Sequence, residues 1–206
     1  MNPKMMLNFY FCLEFIYFYW IGAMSRKYKM NNAEGIYFVS FATVYWIDVF
    51  VREIYFEAII QALAFCCKEK GMILYGYCIM PSHIHLLFQA KEKNPIALLQ
   101  SFKKFTAKGL LKLISENQQE SRKEWLLWMF ERAGKKRANV QKYQFWQHHN
   151  QPIEIYSEKY FDQKLDYIHQ NPVLSGFVSQ AEDWKYSSAK NYVNCQDIVL
   201  EIEKLI

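Results

Sequence analysis

No Cys-x-x-Cys pair occurs anywhere in the chain, and its five cysteines (Cys12, Cys66, Cys67, Cys78 and Cys195) are odd in number. This excludes a cysteine zinc site of the usual spacing and argues against a disulfide framework, so the expected compartment is a reducing cytoplasm. A glycine-rich phosphate loop is also missing, as are internal repeats and low-complexity linkers. No apolar run reaches membrane length. Leu7 to Ala23 is 17 residues long and is interrupted by Glu14, which makes it short for a span and costly at its middle. Its thin basic start and aromatic centre also fit a signal peptide poorly. Residues 1–23 are therefore expected to be a hydrophobic N-terminal extension, either upstream of a natural start at Met24 or a helix packed on the domain. Residues 24–206 are expected to form one domain with no stable membrane association.

Aromatics are plentiful at 18% of residues, and the bulk of them should pack a core. Others could offer π-faces to unpaired bases. A formal charge of +5 leans only mildly towards a polyanionic partner, so the clustering of the charge matters more than its total. From Gly35 onward, strand and helix signals alternate. Ile36 to Trp46 reads as a β-branched and aromatic strand, and Glu53 to Lys70 as a helix closed by Gly71. Met72–Met80 and His83–Ala90 read as two strands joined at Pro81-Ser82. Asn94-Pro95 opens a second helix running to about Glu116. Glu120–Glu131 reads as a further amphipathic helix, followed by a basic exposed connection over Arg132–Gln141. This order suggests an α+β fold, a ferredoxin-like antiparallel sheet with helices packed on it.

Histidine is scarce, at five residues, and two of them stand as His83-Ile84-His85 between β-formers. Side chains alternate faces along a strand, so both imidazoles point to one side and form half of a metal site. In the second helix Lys104, Lys108 and Lys112 recur every four residues, with Lys103 beside them. The stripe fits either a solvated face or a track for DNA phosphates. Lys135-Lys136-Arg137 could extend it. Tyr167 and Asn171 share one face if the segment 157–171 is helical, although Pro172 would place Asn171 at the helix end. His148 and His149 are rival ligands, since either would complete a three-histidine zinc site of the hydrolase kind. Asp48 and Arg52 read as a local ion pair, Asp166 and Asp183 as helix-end or loop residues.

Met80-Pro81-Ser82-His83-Ile84-His85-Leu86-Leu87-Phe88, the basic helix, Phe145-Trp146-Gln147-His148 and Asp166-Tyr167-Ile168-His169-Gln170-Asn171-Pro172-Val173 occur in an order that resembles the REP-associated tyrosine transposases. These belong to the single-tyrosine transposases with a His-hydrophobic-His motif, and the resemblance runs from about Gly35 to about Tyr192. It implies the same fold, with His-x-His on a central strand. It also implies Tyr167 as the nucleophile, His83 and His85 as ligands of a divalent metal (Mg²⁺ or Mn²⁺), and Asn171 where a third ligand is expected. Trp146 and His148 would help position DNA. The implied activity is nicking and rejoining of single-stranded or hairpin DNA through a 5′-phosphotyrosine, with no organic cofactor, by a monomer or homodimer. A phenol titrating near 10 needs activation, for which the metal, a nearby base or His169 are the candidates. A DNA-binding protein with a decayed site is the non-catalytic alternative. Trp184-Lys185-Tyr186-Ser187-Ser188 also matches the family but has no evident chemistry.

Overall fold

A computed structural model describes residues 30–136, 142–193 and 195–205. The N-terminal extension and Arg137 lie outside the described residues. Four strands, β1 (Ile36–Ala42), β2 (Met72–Ile79), β3 (His83–Ala90) and β4 (Ile153–Ile155), form one antiparallel sheet in the order β2-β3-β1-β4. Four helices of more than two turns surround it: α1 (Glu53–Glu69), α2 (Pro95–Glu116), α3 (Lys123–Lys135) and α4 (Glu158–Leu174). A single turn, α5, spans Ala189–Tyr192. Among the described residues no helix is long and apolar enough to cross a membrane.

Helices cover both faces of the sheet, so both faces are apolar along much of β1 and β3. Tyr37, Val39 and Phe41 of β1 and Ile84, Leu86 and Phe88 of β3 join α1 and α2 in the larger core. The alternate positions Phe38 and Leu87 join Phe161, Leu165 and Ile168 of α4 in a second core. Burial of those three α4 side chains contributes about 1.5–3 kcal/mol each. The period of two therefore sends His83 and His85, in step with Leu87, to the face that α4 covers. Gly76 lets α4 come close: a Cβ there would meet Leu165 Cδ1 at 2.8 Å.

The element boundaries depart from the sequence reading in four places. β1 ends at Ala42, not Trp46, because buried Thr43 turns the chain: its amide bonds Ser82 O at 2.9 Å and its hydroxyl donates to Ile47 O at 2.8 Å. A one-turn 3₁₀ helix follows at Val44–Trp46, with Tyr45 (φ 57°) and Trp46 (φ 56°) both left-handed. Such backbone costs about 1–3 kcal/mol per non-glycine residue and persists only where its surroundings enforce it.

α3 starts at Lys123 and not at Glu120. The buried Glu120 carboxylate instead accepts from Arg52 Nε at 3.1 Å and Arg122 Nε at 3.0 Å, while Arg122 also reaches Asp48 O at 2.7 Å. The partner of Arg52 is therefore Glu120, not Asp48. The expected exposed connection begins inside α3, where Ala133 and Gly134 are buried.

α4 runs through Pro172 to Leu174. The amides of Ser175, Gly176 and Phe177 bond back to the carbonyls of Asn171, Val173 and Pro172, which holds the last turn in place despite the proline. Asn171 is thus inside the helix rather than at its end.

Candidate active site

β3 carries His83 and His85 to the α4 face, their rings 4.8 Å apart. His85 is buried, stacked on Phe38 at 5.8 Å and met edge-on by Tyr167 at 5.4 Å. Burial drives both imidazoles towards the neutral form. The His83 pKa falls to about 4, with the neighbouring Asn171 side chain acting in the other direction. That of His85 falls well below its usual value, helped by the charges of His83 and Lys164. Neutral imidazole keeps the lone pair that a metal ligand needs.

Buried polar groups are normally satisfied, yet His85 Nδ1 and Nε2 and Asn171 Oδ1 have no hydrogen-bond partner in the protein. Each such orphan costs about 1–3 kcal/mol. One nitrogen from each of His83 and His85, with the amide oxygen of Asn171 beside them, makes a donor set that suits a divalent cation. Among the described residues no three His, Cys, Asp or Glu side chains gather to hold a metal. His148 and His149 are exposed and do not complete a three-histidine set with His83 and His85, which removes the geometric basis of the zinc-hydrolase alternative.

α4 brings Tyr167 to the pair half-buried, its ring edge-on to Phe38 at 5.9 Å. Ser157 caps the helix, accepting from Tyr160 N at 3.3 Å. One turn before Tyr167, Lys164 sets its ammonium 5.7 Å from the Tyr167 ring and 5.3 Å from that of Phe38. The sequence reading missed Lys164, although its i−3 spacing from Tyr167 was a usable signal. His169, two residues on, points round the helix to the sheet. Its Nε2 lies 2.9 Å from Ser188 Oγ, which accepts from Tyr77 N at 3.0 Å. Burial holds His169 at about 4, with its Nε2 engaged by Ser188. The Trp184–Ser188 segment therefore has a role. It latches β2 and α4 together, with Trp184 Nε1 donating to Ile79 O at 3.0 Å.

The lysines divide. Lys104, Lys108 and Lys112 are exposed along α2, Lys112 standing 3.9 Å from Glu116. α2 packs on the sheet face opposite the histidines, so the stripe is not beside them. Lys103 is turned inward: its Nζ donates to Gln147 O at 2.9 Å and to Asn150 Oδ1 and lies 5.0 Å from the Phe41 ring centroid. Burial brings its pKa down to about 7. Trp146 is buried against Phe41, Phe50 and Phe145, its Nε1 donating to Thr106 Oγ1 at 3.1 Å. Lys103 and Trp146 are packing residues in this fold, while His148 is exposed.

Residues 34–131, from the start of β1 into α3 and including both histidines, match the family model described as "Transposase IS200 like". Over that stretch, a little under half of its length, the chain is similar to the IS200-like transposases. Among curated proteins, a similar sequence from Haemophilus influenzae is named "Putative REP-associated tyrosine transposase". It is 28% identical over 122 residues, covering 59% of this chain and 61% of that relative's length. A solved REP-associated tyrosine transposase bound to a REP hairpin shares the fold, with a TM-score of 0.56 at 16% identity, over 87% of this chain and 98% of that one. The family match ends before α4 and does not reach Tyr167.

Proposed function

We propose that this chain nicks and rejoins single-stranded DNA at hairpin or palindromic repeats through a 5′-phosphotyrosine formed on Tyr167. The observation that carries this reading is the meeting, within one chain, of a tyrosine with a buried donor set otherwise left unpaired: Tyr167 stands 5.4 Å from His85, ring to ring. The strand order with its βαββαβ sequence supports a ferredoxin-like topology with His-x-His on a central strand. His83, His85 and Asn171 would hold a divalent cation, Mg²⁺ or Mn²⁺. Bound there, the cation supplies positive charge that orients the scissile phosphate and offsets charge on it.

The chain's own groups do the rest. Phe38 and His85 hold the Tyr167 ring, and Lys164 brings a second positive charge to the same spot. The tyrosine oxygen attacks phosphorus in line. An O–P bond forms between Tyr167 and the 5′-phosphate of the fragment on the 3′ side of the cut as the bond to the 3′ oxygen of the other fragment breaks; the phenolic proton is lost and the departing oxygen gains one. Attack by a 3′-hydroxyl reverses the exchange, so joining needs no nucleotide cofactor. Lys104, Lys108, Lys112 and His148 are the exposed candidates for DNA contact, and either a monomer or a homodimer is compatible with a site built from one chain.

Incubating the protein and Mn²⁺ with hairpin DNA labelled on the 3′ side of the cut is expected to give a denaturant-resistant adduct that maps to Tyr167 by peptide mass spectrometry. Tyr167→Phe should bind the same DNA and form none. Undiminished cutting by Tyr167→Phe overturns the assignment. Cutting by the wild type without an adduct points to an activated water instead, and binding without cutting to the passive DNA-binding protein.

A further inference from the structure

Beside the histidines the fold displays two aromatic rings that the core does not take up. Tyr45 is 43% and Trp46 38% exposed, and both occupy left-handed backbone that disfavours such side chains. The turn is fixed from both ends: Val44 N bonds Phe145 O at 2.8 Å, and buried Thr43 holds Ser82 and Ile47. Trp46 lies edge-on to His83, 5.4 Å between ring centroids. On the other side, Lys136 Nζ is 5.5 Å from the Tyr45 ring centroid. Lys136 borders an open groove of about 380 Å³ along α3, lined also by Trp128, Glu131, Arg132 and Lys135. Trp128 is 52% exposed, with the Arg132 guanidinium 5.3 Å from its ring centroid. Glu131 is paired with Lys135 at 2.8 Å, so three cations stand against one carboxylate.

We propose that Tyr45 and Trp46 are a stacking platform for the unpaired bases that flank the scissile phosphate, and that the Trp128 groove continues the path of that strand away from the site. Resting on the tyrosine-nuclease reading, this assigns a binding role to a strained turn. Rings beside cations suit single-stranded nucleic acid: the cations meet the backbone, and every unpaired base offers a π-face. A duplex stem keeps its bases stacked internally and has no free face to offer. The chemistry therefore selects the unpaired segment of the substrate.

The test compares a hairpin carrying single-stranded tails with the same hairpin blunt-ended, by fluorescence anisotropy with the full chain. Tyr45→Asn removes the ring yet suits left-handed backbone, and Tyr45→Phe keeps the ring; Trp46→Phe and Trp128→Ala complete the set. Tyr45→Asn should weaken the tailed hairpin roughly 5- to 150-fold, the range for loss of one stacked base, and leave the blunt one nearly unchanged. Tyr45→Phe and Trp46→Phe should bind the tails much as the wild type does, and Trp128→Ala should lose affinity only for the longer tails. 2-Aminopurine in the tail should be quenched by the wild type and released in Tyr45→Asn. Equal loss on both DNAs, or none on either, overturns the platform and leaves the turn to a protein partner. The adduct assay on the wild type separates the two ideas. Tail-selective loss without any adduct sinks the nuclease reading alone, whereas an adduct without tail-selective loss sinks the platform alone.

Discussion

Replacing His85 by phenylalanine should make the metal-free protein more stable while removing its response to metal. The imidazole is buried with both nitrogens unpaired, and leaving a buried polar group unsatisfied costs about 1–3 kcal/mol. Phenylalanine retains a flat ring for stacking on Phe38 at 5.8 Å and for the edge of Tyr167 at 5.4 Å. Its extra bulk in a packed site gives back some of the gain, about 1 kcal/mol or more. With two such nitrogens relieved, about 2–6 kcal/mol in all, against about 1–3 kcal/mol of overpacking, a net gain of about 1–3 kcal/mol remains, which in a chain of this length raises Tm by roughly 2–12 °C. Differential scanning fluorimetry in EDTA at pH 8 reads this directly.

In Mn²⁺ at about a hundred times Kd, the wild type should gain about 2.7 kcal/mol and His85→Phe almost nothing, so their order closes or inverts. The choice of pH follows from the depressed His85 pKa. Below about 6.5 the unfolded chain takes up a proton that the folded one refuses, so the wild type loses stability on acidification and the variant loses less. A lower Tm for His85→Phe in EDTA, or a metal shift equal to the wild type's, would refute the reasoning.

Lys164→Ala should slow adduct formation on the order of 10²-fold, the usual cost of deleting one preorganised charge partner, with DNA affinity changing less; an unchanged single-turnover rate assigns Lys164 to packing. Replacing Lys104, Lys108 and Lys112 together by alanine should flatten the salt dependence of DNA binding, log Kd against log salt, by about 2–3. An unaltered slope returns the stripe to a solvated face. Glu120 should set part of the acid limit of the fold. Burial alone would raise its pKa, but hydrogen bonds and charge from Arg122, then Arg52, outweigh burial and hold it at about 2, below the ordinary 4.5. The stability this contributes, at most about 3 kcal/mol, is present above about pH 4.5 and is lost as pH falls towards 2. Glu120→Gln should be less stable at pH 7 and flatter between pH 5 and 2 in urea titrations.

Where local chemistry and tertiary packing agree, the sequence was a reliable guide. The alternation through His83 and His85 placed both rings on one face, and Asn94-Pro95 marked the start of α2, where the Asn94 side chain accepts from Ala97 N at 3.0 Å. Departures came where long-range contacts decide. Aromatic content continues past Ala42, so nothing local shows that Thr43 is bound to Ser82 across the sheet. Lys103 is one residue from the stripe, about 100° round the helix, enough to swing it from solvent to Gln147 and Asn150. Trp146 matches a family segment, yet its neighbours in space come from elements far away in sequence, so its burial could not be read along the chain. The site was legible as a set of residue types. Lys164 was marked only by its spacing from Tyr167, and the Ser188 contact of His169 became visible only when α4 was set against β2.

The seating of α4 has a kinetic consequence. The helix that carries Tyr167 is clamped to β2 of its own chain by Leu165 over Gly76 and by His169 on Ser188, which is itself tied to Tyr77. On the proposed assignment both halves of the chemistry would travel on one polypeptide, and no second copy would have to lend a residue. The turnover of each molecule should then be indifferent to dilution, first order in protein down to concentrations at which any dimer would have fallen apart.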